Sequence, residues 1–151
     1  MSGHLTEDQT LLRDAAERYL RDSYDFNQRR ERIAEGVYSD PKQWQAFAEM
    51  GWLALPVAEE FGGLGMGTRE MAILAELCGQ FLVTEPLIDA LTSTHAIIGA
   101  SQQQESLLPR VAKGDLIPVA AIDEAETASR LTPATTLTHN DEGWHLSGAK
   151  H

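Results

Sequence analysis

Apolar positions recur every three or four residues through most of the chain and change rhythm near residue 115. Behind Thr6-Glu7-Asp8-Gln9, which has the spacing of a reciprocal helix cap, Leu12, Ala15, Ala16, Tyr19 and Leu20 predict a first helix over about residues 6–22. A more polar second helix is expected from Phe26 to Ala34, stopped by Gly36. Ser39-Asp40-Pro41 places an N-cap before a proline suited to the first helical turn. It opens a third helix carrying Trp44, Phe47 and Ala48 and closed by Gly51. Leu53 to Gly67 holds Pro56 and a run of glycines, so it cannot be helical throughout. Met71, Leu74, Leu77 and Cys78 mark a fourth helix, and Leu87, Ile88, Leu91, His95 and Ile98 a fifth. A sixth is expected from a Ser101 cap to Gly114, with Leu107, Leu108 and Val111 on its buried face.

Past Asp115 the period shortens. Leu116 to Ile122 is a continuous apolar run of strand length, with Pro118 near its start. Thr135 to Thr138 and Trp144 to Ser147 are strand-like, joined by the turn Asn140-Asp141-Glu142-Gly143. The expected organisation is a mainly α fold: a six-helix domain over 1–115, then an incomplete antiparallel β domain over 116–151 with at most about three strands.

Charge narrows the possible partners. With 12 basic against 23 acidic side chains the net charge is −11, a field that repels phosphate backbones and anionic lipid heads. Neither nucleic acid nor a membrane surface is expected as a partner. The basic group Arg29, Arg30 and Arg32 is interleaved with Glu31 and reads as a solvated helix face. Apolar runs are too short to span a bilayer, and the opening residues have neither a basic nor an apolar leader region. The expectation is a cytoplasmic protein. The single cysteine, Cys78, excludes an internal disulfide and falls on an apolar helical face as core filler.

Few residues suggest chemistry by themselves. Gly62-Gly63-Leu64-Gly65-Met66-Gly67 lacks the preceding strand and the spacing of a dinucleotide loop, and reads as a turn between helices. The five histidines have no metal-ligand spacing, so no metal site is expected; His95 reads as a core or pocket-edge residue. The pairs Glu59-Glu60 and Asp123-Glu124 are not aimed at one substrate by adjacency alone.

Several ordered stretches together are more specific. The capped first helix with Leu11-Leu12-Arg13-Asp14, the segment from Met50 to Gly65, Leu107 to Gly114, and Gly143-Trp144-His145-Leu146-Ser147-Gly148-Ala149-Lys150 resemble consecutive parts of acyl-CoA dehydrogenases. The resemblance runs along the whole chain and is closest in flavour to the pimeloyl-CoA dehydrogenase small-subunit-like bacterial branch. It implies a helical amino-terminal domain and the start of a β-barrel-like middle domain. It also implies FAD as cofactor, an acyl-CoA substrate undergoing α,β-desaturation, an electron-transfer acceptor, and a homo- or hetero-oligomer of related subunits.

Site residues follow only by resemblance. The family's flavin-contacting stretch, V-T-E-P-x-A-G-S-D, aligns with Ile122 to Arg130. That makes Ile122, Asp123 and Ser129 the candidate cofactor contacts, and Leu87, Leu91 and Ser129 the candidate substrate contacts. Glu124 and Ser129 keep the family residue, while Asp123 stands where a threonine donates a hydrogen bond. A carboxylate there disfavours an electron-rich reduced flavin unless it is protonated. The catalytic base is expected beyond His151, so no catalytic residue is named. The chain reads as part of a longer dehydrogenase. The alternative is a non-catalytic subunit or interaction module of a hetero-oligomeric relative.

Overall fold

Local capping sets where the first three helices begin. The computed structural model describes residues 4–100, 103–124 and 132–150. Helix α1 (Glu7–Ser23) starts on the cap expected for it: Gln9 N donates to Thr6 Oγ1 at 3.2 Å and Thr6 N to Gln9 Oε1 at 3.1 Å. Helix α2 (Phe26–Ala34) is capped by Asp25, and α3 (Pro41–Glu49) by Asp40 with proline in its first turn. A short 3₁₀ turn, Glu59–Phe61, precedes α4 (Thr68–Gln80), α5 (Leu87–Gly99) and α6 (Gln104–Ala112). The residue before α6 is Gln103, whose side chain makes no capping bond; Ser101, the expected cap, lies outside the described residues.

Helices α1, α3, α4 and α5 bury their apolar stripes in one main core. Leu20 of α1, Phe47 of α3, Leu74 and Leu77 of α4, and Leu87 and Leu91 of α5 meet there, with Trp52 and Leu53 from the loop after α3. Phe47 and Trp52 stack with ring centroids 4.7 Å apart. Cys78 lies in this core, its thiol pushed up to about 11 by burial, as filler rather than nucleophile. A smaller cluster joins Ala54 and Val57 to Leu108 and Ala112 of α6.

The glycine-rich segment is a packed turn before α4. The amides of Leu64, Gly65 and Met66 donate to the carbonyls of Ala54, Val57 and Leu55 at 2.9, 2.7 and 2.7 Å. A Cβ on Gly63 would sit 1.9 Å from the Val57 carbonyl oxygen, so only glycine lets the two strands of this loop meet. At the end of α6, Gly114 takes φ +78° and its carbonyl accepts from Trp44 Nε1 at 3.1 Å, tying α6 to α3.

Two compact units result, Met1–Pro118 and Val119–His151. In the second, β1 (Thr136–Asn140) pairs antiparallel with β2 (Gly143–Ser147), with Leu137 opposite Leu146 and His139 opposite Trp144. Those four side chains share one face of the hairpin by strand alternation. Leu137, Trp144 and Leu146 are 61, 70 and 75% exposed. The strand expected over Leu116 to Ile122 does not form. A strand requires a ladder partner, and among the described residues the only ladder is β1 with β2.

Candidate functional site

In the second unit a single carboxylate organises the segment expected to face a cofactor. Glu124 Oε1 accepts from Lys150 Nζ at 2.6 Å, from Thr135 Oγ1 at 2.5 Å and from Thr135 N at 3.1 Å. Its Oε2 accepts from Ala134 N at 2.5 Å. Lys150 Nζ also donates to the Ile122 carbonyl at 3.3 Å. Three separate stretches, 122–124, 134–135 and 150, are thus gathered on one side chain. Hydrogen bonds from Lys150 first, then Thr135, hold the Glu124 carboxyl down at about 2. Its side chain is 6% exposed.

Around that knot the expected cofactor residues are placed unevenly. Ile122 is 54% exposed and Asp123 is also at the surface. Ser129, expected to touch both cofactor and substrate, lies outside the described residues. In the helical unit, Leu87 and Leu91 are sealed in the core, 0 and 1% exposed. They stand behind the surface of α5 rather than on it. His95 is exposed, with Nε2 3.3 Å from the sulfur of Met71. Among the described residues no group of three or more His, Cys, Asp or Glu could hold a metal ion.

Two polar knots in the helical unit have no trace in the periodicity. Glu85 is 5% exposed, accepts from the buried Tyr24 hydroxyl, and accepts from Asp40 N at 3.0 Å. Burial first, and the Glu85 hydrogen bond next, raise the Tyr24 phenol above its ordinary range, so it stays a neutral donor. Beside Glu85 opens a cleft of about 260 Å³ whose walls include Asp40, Trp44, Pro86, Gly114 and Ile117. The second knot joins two helix starts: Gln9 Nε2 donates to Glu70 Oε1 at 2.7 Å, and Gly67 N donates to Glu70 Oε2 at 3.0 Å. The Gln9 hydrogen bond leads the effects that lower the Glu70 carboxyl. Partners 61 residues apart in sequence make both knots, which is why spacing within a helix cannot reveal them.

With this architecture in place, a family model described as "Acyl-CoA dehydrogenase, N-terminal domain" matches residues 6–115. The chain belongs to the acyl-CoA dehydrogenase family. Acyl-CoA dehydrogenase FadE28 of Mycobacterium tuberculosis is 33% identical over 121 residues, covering 78% of this chain and 34% of the relative. (2S)-methylsuccinyl-CoA dehydrogenase of Cereibacter sphaeroides is 29% identical over 111 residues, covering 70% and 20%. A variant of the Tcur3481–Tcur3483 steroid ACAD superposes with a TM-score of 0.86 at 28% identity, over 95% of this chain and 40% of that one. An acyl-CoA dehydrogenase from Bacillus anthracis, solved in complex with FAD, shares the fold at a TM-score of 0.80 and 21% identity, over 95% of this chain and 26% of that one. The chain therefore spans about a fifth to a third of the length of the curated relatives it matches. The family's fold, a helical amino-terminal domain followed by β-structure, is the fold described above.

Proposed function

We propose that these residues are the amino-terminal helical domain and the start of the middle domain of a flavin-dependent acyl-CoA dehydrogenase that desaturates an acyl-CoA thioester between its α and β carbons. The observation that carries this reading is the family match over 6–115 joined to a superposition over 95% of the chain. FAD, when bound, supplies the acceptor for the hydride that leaves the β carbon. The base that removes the α proton is placed outside these residues, and an electron-transfer partner reoxidises the cofactor. The helical domain's part is to build a rigid, dry wall: α4 and α5 are fixed by Leu74, Leu77, Leu87 and Leu91. Leu87 and Leu91 serve the acyl side of the pocket as packed support behind it. A cytoplasmic setting suits the free, buried Cys78, and no helix among the described residues is long and apolar enough to cross a membrane.

The chemistry of residues 122–124 suits contact with a flavin face better than hydrogen bonding to its polar edge. Ile122 offers an open apolar side chain, and Glu124 carries a charge already balanced by Lys150. Asp123 offers acceptor oxygens where a reduced flavin favours a donor. That residue supports a second reading, a subunit that binds flavin only within a hetero-oligomer, or not at all. One fold relative, the Tcur3481–Tcur3483 steroid ACAD, carries two component names.

One experiment separates the two readings. The full-length protein is purified alone and again with a co-expressed related subunit, and its visible absorption is recorded. A flavin band from the lone protein, with turnover of an acyl-CoA, supports the dehydrogenase. A colourless lone protein that gains flavin only in the complex supports the subunit reading.

A further inference from the structure

We propose that Glu124, held by Lys150 and Thr135, is a positioning residue that fixes the Ile122–Asp123 backbone for its ligand; this rests on the flavoprotein reading above. The geometry is specific. One carboxylate receives four hydrogen bonds from three donor residues, and the same ammonium that pairs with it also donates to the Ile122 carbonyl. Lys150 therefore bridges the side chain of Glu124 and the backbone two residues earlier.

The hairpin's apolar side chains are exposed and contribute no core to hold the segment. Charge-assisted hydrogen bonds are the strong class available to it, shorter and roughly twice as strong as neutral ones. The surroundings are fitted to the knot: a Cβ on Gly148 would fall 2.3 Å from Thr135 Oγ1, so glycine there leaves Thr135 room to reach Glu124. A salt bridge on an open surface has little effect. This one sits with its carboxylate 6% and its ammonium 25% exposed, at the root of the segment aligned with the family's cofactor stretch.

The test uses full-length protein in five forms: wild type, Glu124→Gln, Lys150→Met, the double variant, and Lys150→Arg. FAD affinity is measured by titration of the apoprotein, and the flavin's visible spectrum is recorded on each complex. Amide exchange at Ala134 and Thr135 is followed without cofactor. The expected result is about tenfold weaker FAD binding and a shifted flavin spectrum for Glu124→Gln and for Lys150→Met, with the double variant no worse than either. Lys150→Arg should stay within about threefold of wild type, since it keeps the charge and a donor. Exchange at Ala134 and Thr135 should accelerate in Glu124→Gln while the helical amides stay as they were.

Wild type that binds FAD alongside a Glu124→Gln variant that binds it equally well, with an unchanged spectrum, overturns the positioning role and leaves the flavoprotein reading standing. Wild type that takes up no FAD, alone or with a related subunit, removes the flavoprotein reading and the positioning role with it. Faster exchange without any loss of affinity reduces the knot to a structural staple and also overturns the proposal.

Discussion

The two units solve the same problem, holding an extended set of backbone in place, by opposite means. The helical unit does it with apolar mass: Leu20, Phe47, Leu74, Leu77, Leu87 and Leu91 are each at most 1% exposed. The hairpin unit leaves Leu137, Trp144 and Leu146 mostly in water and gathers its chain on one carboxylate. Hydrophobic burial is non-directional and tolerant of distance in sequence. A charge-assisted knot is directional, and losing one member leaves its partners unsatisfied. The first unit should therefore respond to volume changes, and the second to charge and pH.

The largest contrast comes from one substitution in each unit. Leu74→Ala should destabilise the helical unit by about 2–5 kcal/mol, the cost of a cavity at a fully closed site. Leu146→Thr on the open hairpin face should change stability by about 0.5 kcal/mol or less. Chemical denaturation followed by helical circular dichroism checks the first, and the strand amides in a heteronuclear spectrum check the second. Equal effects would erase the distinction.

A smaller loss is expected at the polar knot of the helical unit. Tyr24→Phe removes the hydroxyl that donates to Glu85. A buried carboxylate oxygen is then left without that donor, at a cost of about 1–3 kcal/mol, read from the same denaturation curves. Glu85→Gln combined with Tyr24→Phe should cost less than the sum of the two single changes if the pair acts as a unit.

The largest pH response should come from the second unit, with a further one at Glu70 of the helical unit, whose carboxyl is also lowered. Glu124 titrates at about 2 in the folded chain, against about 4.3 for an unperturbed glutamate. A depressed carboxylate favours the folded form above the unfolded value, so the knot's contribution is present above about pH 4.3. It is lost as pH falls from there through about 2. Chemical shifts of Ala134 and Thr135 amides should move across that window.

How much of this was legible in the sequence divides along the same line. Thr6 with Gln9, Asp40 with Pro41, and the helix-ending glycines at 36, 51 and 114 act over a few residues, and all are found where the spacing placed them. The core helices were legible for the same reason: their apolar period is local. Leu116 to Ile122 has a strand's composition and forms none, because pairing depends on a partner that composition does not supply. Glu124 with Lys150, 26 residues apart, and Tyr24 with Glu85 leave no periodic signature. Resemblance brought forward Ile122 to Glu124 and, in a separate stretch, Lys150, but not the pairing of Lys150 with Glu124.

Residue-resolved hydrogen exchange on the wild-type chain, repeated on Glu124→Gln, tests the central claim most directly. Amides of α1, α4 and α5 should be the slowest in the molecule and the same in both samples, whereas Ala134, Thr135 and the β1–β2 amides should exchange faster and accelerate further in the variant. Hairpin amides as protected as those of α4 in the wild type, or unmoved by loss of the Glu124 charge, would contradict it.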